Sequence, residues 1–253
     1  MDENISNQGR KSILSCESGR MLIVEKTEEP QEGNATMLAL AQSGKEEGYV
    51  MFSELPECPL DDCGGQGLFL SLLTRPTMPI AEVGILSAVT AVAVARAIER
   101  VSEVQVGIRW VNDIFHGEDK MCAITTSSRL LPNGTAEYVV FGISLCLSGE
   151  HFPPKLGDVI RRVFNGETRD LPSRLSDAIA LEFFTIYDRL KSDRSFIEEY
   201  RSRSTVIGKR VKVLVGDVYI RGKVVGIDDR ACLTVEFRRG ARMTVSSRAE
   251  IVF

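Results

Sequence analysis

The sequence is short of histidine, has a single tryptophan and contains no long apolar run, and each shortage removes a class of function. Only His116 and His151 occur in 253 residues, poor material for a catalytic triad or a histidine-rich metal site. No stretch of about 18 uninterrupted apolar residues is present, so a membrane span is not expected. The richest window, Gly84 to Ile98, is too short and contains Arg96. Residues Met1 to Arg20 are polar and lack the apolar centre of a secretory signal, so they read as a flexible tail. The phosphate-binding P-loop, the dinucleotide glycine fingerprint and the nucleophile elbow are all missing. Internal repeats and low-complexity tracts are absent too.

Six cysteines, at 16, 58, 63, 122, 146 and 232, follow no regular spacing. With no export signal, they are expected as free thiols in a cytoplasmic protein. Cys122, Cys146 and Cys232 sit in apolar runs and read as small core residues. Cys58 and Cys63 flank Asp61-Asp62, but their spacing is wrong for common zinc pairs. Net charge is −4 and unevenly spread. Residues 201–253 hold twelve Lys/Arg against five Asp/Glu, a net +7, which leaves −11 for the rest. A basic module on an acidic body suits either an acidic partner or a solvated charged face.

What is present is a mixed pattern. Strand-like runs cover Met21–Lys26, Gly48–Glu54, Leu68–Leu73 and Tyr138–Leu147. Helical spacing covers Ala35–Ser43, with Gly44 as its stop, then Ile80–Val101, Leu156–Phe164, Ser176–Leu190 and Phe196–Tyr200. The period then changes to two: Lys209–Val215, Val218–Asp228, Cys232–Phe237 and Arg242–Val245 predict a small β-barrel. The expected fold class is α+β, a mixed β-sheet with packed helices followed by a small C-terminal β-barrel. The expected division is a tail over 1–20, a catalytic-type domain over 21–203 and the barrel over 204–253.

The densest chemistry lies in Gln105 to Thr125. An apolar run from Val104 to Trp110 meets Asn112-Asp113, a turn at His116-Gly117-Glu118-Asp119 follows, and a second run starts beside Lys120. Gly and acidic residues between two such runs predict a hairpin that gathers Trp110, Asn112, Asp113 and Lys120. A carboxylate, a carboxamide and an ammonium near an indole suit a phosphorylated or activated ligand. Read alone, Asn112 and Asp113 serve equally well as turn caps, Lys120 as a surface lysine, and Trp110 as core.

This stretch resembles the biotin protein ligases, whose central hairpin reads Lys-Trp-Pro-Asn-Asp, then Lys-Leu-Ala-Gly-Ile. Here the match is Arg109-Trp110-Val111-Asn112-Asp113, then Lys120-Met121-Cys122-Ala123-Ile124. The resemblance extends from about Met21 to Phe253 and includes Gly208-Lys209 and Gly226-Ile227-Asp228 of the barrel. It implies a fold of the biotin/lipoate ligase type, related to class II synthetases. It implies formation of biotinyl-adenylate from biotin and ATP with Mg²⁺, then transfer to a lysine of a carboxylase's biotin carrier domain. Lys120 and Asp113 then match catalytic positions, Asp113 also a Mg²⁺ position. Arg109, Trp110, Asn112, Asn34, Gly65 and Gly142 match the substrate- and nucleotide-binding surface. Pairing through central sheets, common in the family, implies a homodimer. The DNA-binding repressor role of some ligases is not expected, because only about 20 polar residues precede Met21.

Three elements depart from the family pattern. The Gly-Arg-Gly-Arg-x-Gly-Arg adenylate loop is replaced by Pro56 to Gln66, a shorter stretch with no Lys or Arg and with Glu57, Asp61 and Asp62. Acids beside a phosphate repel it. The family's Ser-Thr-Asn aligns with Glu32-Gly33-Asn34, and its Gly-x-Gly-Ile-Asn with Gly142-Ile-Ser-Leu-Cys146. The expectation is a ligase-like protein with activity reduced or lost. The alternative is an inactive relative that binds a carrier domain, a partner subunit or another small ligand.

Overall fold

The computed structural model describes residues 10–28, 33–60, 65–102, 104–148, 171–246 and 251–252. Its larger sheet holds β1 (Lys11–Ser15), β2 (Met21–Lys26), β3 (Tyr49–Leu55), β4 (Gly67–Thr74), β5 (Gly107–Arg109), β6 (Asp113–His116), β7 (Asp119–Leu130) and β8 (Ala136–Cys146). The spatial order is β1-β2-β3-β4-β8-β7-β6-β5. Among the described strands of this sheet only β2 and β3 pair in parallel, and α1 (Gly33–Gln42) is their crossover.

Strand alternation assigns the two faces. Along β4, Leu68, Leu70 and Leu72 face α2 (Ile80–Ser102) and α3 (Leu171–Arg189) in the main core. Leu73 faces the other way, where Met37 and Ala41 of α1 pack on Tyr49, Met51, Tyr138 and Val140. α2 is buried over most of its surface because Ala88, Ala91, Ala93, Ala95 and Ala97 let sheet and helix approach closely. α3 brings Phe183 to 5.5 Å from Phe141 of β8, ring centre to ring centre. α1 ends where expected: Gly44 has φ +91°, and the Lys45 N–H donates to the Leu40 carbonyl at 2.9 Å, a Schellman closure that needs a left-handed residue.

A second sheet of five antiparallel strands follows α4 (Phe196–Arg203). Its order is β12 (Arg242–Val245), β11 (Leu233–Glu236), β10 (Val218–Ile227), β9 (Arg210–Val215) and β13 (Ile251–Val252). Among the described residues β12 and β13 do not pair, so the sheet is barrel-like without closing.

Four expectations change. Residues 11–15, expected in a flexible tail, form β1 against β2, and Ser12 donates to Asp177 of α3 at 3.5 Å. The run Val104–Trp110 yields only three strand residues, because Trp110 to Asn112 turn the chain into β6. The expected hairpin is therefore three strands, β5, β6 and β7. Cys146, expected as a free thiol, is disulfide-bonded. Cys16, Cys58, Cys122 and Cys232 are free. The expected helix at Leu156–Phe164, and His151, Cys63, Asp61 and Asp62, lie outside the described residues.

Candidate functional site

A bulge decides which way the motif lysine points. Ile114 pairs with Cys122, but Phe115 pairs with Lys120, so β7 carries one extra residue there. Met121 and Cys122 both enter the core, and Lys120 is returned to the α1 side. Lys120 Nζ donates to Asp113 Oδ2 at 2.8 Å, with each side chain about a third exposed. Arg109, opposite Asp113 on β5, lies 3.7 Å over the Phe115 ring and reaches Glu118 at 3.4 Å. The sheet thus brings Arg109, Asp113 and Lys120 together, each cation beside a carboxylate of its own chain.

Further along the same face, Ser71 donates to Asn34 Oδ1 at 3.1 Å. Gly142 sits opposite both Ser71 and Thr125. A methyl group at Gly142 would lie 2.7 Å from Thr125 Oγ1 and 3.1 Å from the Asn34 amide nitrogen, so the glycine is what lets Asn34 reach the sheet. Thr125 and Lys120 are five residues apart on β7, about 16 Å along a strand. Gly65 accepts a 2.7 Å hydrogen bond from the Cys58 amide, tying the two ends of the loop before β4. Glu57 on that loop is exposed. The disulfide-bonded Cys146 stands where the family motif has asparagine, and burial raises the Cys122 thiol well above its ordinary value.

Trp110 and Asn112 belong elsewhere. Trp110 is buried in the main core and its indole N–H donates to the Ala231 carbonyl at 2.8 Å, in the second sheet's β10–β11 turn. The Trp110–Val111 peptide is cis. The Val111 carbonyl accepts from Tyr200 of α4 at 2.6 Å. Asn112 donates to the Ile124 carbonyl at 2.9 Å and lines a pocket of about 580 Å³ on the α2 side. The four-residue cluster expected from the motif is thus divided between two faces by the turn that links β5 to β6.

Ser71, Thr125, Glu118 and Tyr200 were not singled out by sequence. Period-two alternation in β4 and β7 carries a signal for the first two, since both are polar positions within apolar strands. No local pattern marks Tyr200, whose partner is 89 residues away. Among the described residues no group of three or more His, Cys, Asp or Glu side chains could hold a metal ion. No described helix is long and apolar enough to cross a membrane.

No family model matches the sequence. The chain is 27% identical over 193 residues to the bifunctional ligase/repressor BirA of Bacillus spizizenii and to that of Bacillus subtilis. The match takes in 74% of this chain and 59% of each BirA, so the chain spans well under two thirds of those relatives. Among solved structures, biotin protein ligase from Aquifex aeolicus superposes with a TM-score of 0.66 at 17% identity, covering 90% of this chain and 97% of that one. The Aquifex enzyme has also been solved in complex with biotin and ATP, and that structure gives a TM-score of 0.63. A biotin protein ligase-like protein of unknown function from Silicibacter gives 0.69 at 15% identity, covering 93% and 97%. A mixed sheet with packed helices and a separate small antiparallel sheet match these neighbours: the chain has the catalytic-domain fold of the biotin protein ligases.

Proposed function

We propose that this chain is a biotin protein ligase-like protein that holds a biotin-like acyl ligand on the α1 face and carries out adenylation slowly or not at all. The observation that carries this reading is the charge state of that face. Lys120 is paired with Asp113 and Arg109 with Glu118, and residues 56–66 contribute no Lys or Arg. Adenylate formation gathers anionic oxygens at one place and depends on unopposed donors aimed at them.

The residues fit the acyl half of the reaction better than the nucleotide half. Asn34, Ser71 and Thr125 offer amide and hydroxyl groups to a polar acyl head. Lys120 would receive the ligand's carboxylate by exchanging Asp113 for it. ATP and Mg²⁺, when bound, would supply the electrophilic phosphorus and neutralise its charge. Asp113 would give one carboxylate to the metal, consistent with the sparse protein ligation usual for Mg²⁺. Transfer, where retained, would go to a lysine of a biotin carrier domain.

Biotin-dependent exchange of pyrophosphate into ATP tests the reading against an active ligase assayed side by side. Exchange about 10²–10³-fold slower is expected, the scale of losing a preorganised oxyanion donor, with Lys120→Ala removing the remainder. Calorimetry is expected to show saturable biotin binding. Exchange at the active ligase's rate would overturn the slow-chemistry claim, and no saturable biotin binding would overturn the acyl ligand.

A further inference from the structure

The α2-side pocket is a separate place from the face just described. Its wall is built by α2, β7, the β5–β6 connection and the β10–β11 turn, with Arg194 and Arg230 at its margin. A Ser87–Thr126 hydrogen bond at 3.3 Å joins α2 to β7 along one side. At about 580 Å³ it falls within the range of sites for small organic molecules, and it lies between two sheets, where such sites concentrate.

The lining is unevenly satisfied. Arg194 reaches Glu82 at 3.4 Å across an exposed pair, a weak contact. Arg230 has no carboxylate partner among the described residues. Its backbone is nevertheless fixed, because Asp228 Oδ1 accepts from the amides of both Arg230 and Cys232 at 2.9 Å. Asn112 adds a carboxamide to the lining and is itself held by the hydrogen bond that it donates to Ile124. Ser128 and Ser246 bring two more hydroxyls. A guanidinium on an anchored turn, a second one in an exposed pair with the lining carboxylate Glu82, and neutral donors around them suit an oxyanion carried on a small polar body.

We propose that this pocket is a binding site for a small anionic metabolite, its phosphate or carboxylate group held by Arg230 and Arg194 and its polar body by Asn112, Ser128 and Ser246. The site is on the opposite sheet face from Lys120 and uses none of the acyl-site residues. It stands or falls independently of the ligase reading.

The only tryptophan supplies the readout. Trp110 precedes the lining residues Val111 and Asn112 in the chain and is hydrogen-bonded to Ala231, also in the lining. Full-length protein is titrated at constant ionic strength with inorganic phosphate in one arm and malonate in the other, without biotin or ATP. A saturable change in Trp110 emission is expected in at least one arm, which then identifies the anion. Arg230→Gln, at an exposed turn position, is expected to weaken it at least about tenfold, with Arg230→Lys recovering part of the loss. Circular dichroism checks that each variant is folded. No saturable change in either arm overturns the proposal. So does a change that chloride reproduces, or one that a folded Arg230→Gln, Arg194→Gln double variant leaves intact.

Discussion

At the scale of single residues, the motif matters less than the direction its side chains take. Asp113→Asn removes the partner of Lys120 from an ion pair about a third exposed. Stability is expected to change by less than about 1 kcal/mol in urea denaturation, while biotin affinity rises because the ammonium no longer has a competitor. Gly142→Ala is a sharper probe, because the new methyl group meets Thr125 and Asn34 at once. A loss of about 1–3 kcal/mol is expected from overpacking, together with weakened biotin binding as Asn34 is displaced. Motif spacing made the nearness of Lys120 and Asp113 legible, because that spacing survives. The expected hairpin also gathered Trp110 and Asn112 beside them, where the core reading of Trp110 holds instead, since spacing cannot reveal that a three-residue turn separates two faces. The bulge at Met121-Cys122 was equally invisible: both residues are apolar and read as ordinary strand.

At the scale of elements, α4 and its neighbours are joined by charge. Arg203 contacts Glu99 of α2 at 2.6 and 2.8 Å and Glu199 on its own helix at 2.8 Å, while Arg96 of α2 also reaches Glu199. These groups are mostly buried, so removing one strands the others. Arg203→Ala is expected to cost about 1–3 kcal/mol in chemical denaturation. Burial alone would raise the Glu199 carboxyl, but hydrogen bonds from Arg96 and Arg203 overcome it and hold the group below its ordinary 4.5. A depressed carboxylate adds stability that is complete above that ordinary value and is lost as pH falls through the folded-state value. Wild-type stability should therefore fall below about pH 4.5, and Glu199→Gln should flatten that part of the profile. Helix periodicity located α2, α3 and α4, apolar runs located β2, β3, β4 and β8, and period two located β9 to β12. β1 was missed because its only apolar residues, Ile13 and Leu14, are adjacent rather than alternating, and none of its five residues is fully buried.

At the scale of the whole molecule, one continuous core joins the two sheets, since Val211, Val224 and Leu233 belong to the same buried cluster as Leu70 and Ile108. Trp110 reaches Ala231, and Arg201 of α4 donates to the Ile227 carbonyl at 2.8 Å. Trp110→Phe leaves the Ala231 carbonyl without its donor, and a loss of about 1–3 kcal/mol is expected in urea denaturation. The apolar stripe of the β9–β10 hairpin is buried at Val211, Val213 and Val224 but exposed at Val215, Val218 and Ile220. Replacing Val218 and Ile220 by Lys should leave stability within about 0.5 kcal/mol per site and lower the binding of a hydrophobic dye. The change to period two marked this second sheet plainly, but the Trp110–Ala231 contact that helps seat it joins residues 121 positions apart. Arg109 and Asp113 stand at either end of the Trp110–Asn112 link, and the indole anchoring that link is held by the other sheet. One hydrogen bond from the appended sheet therefore ends on the very link that joins two members of the charged row.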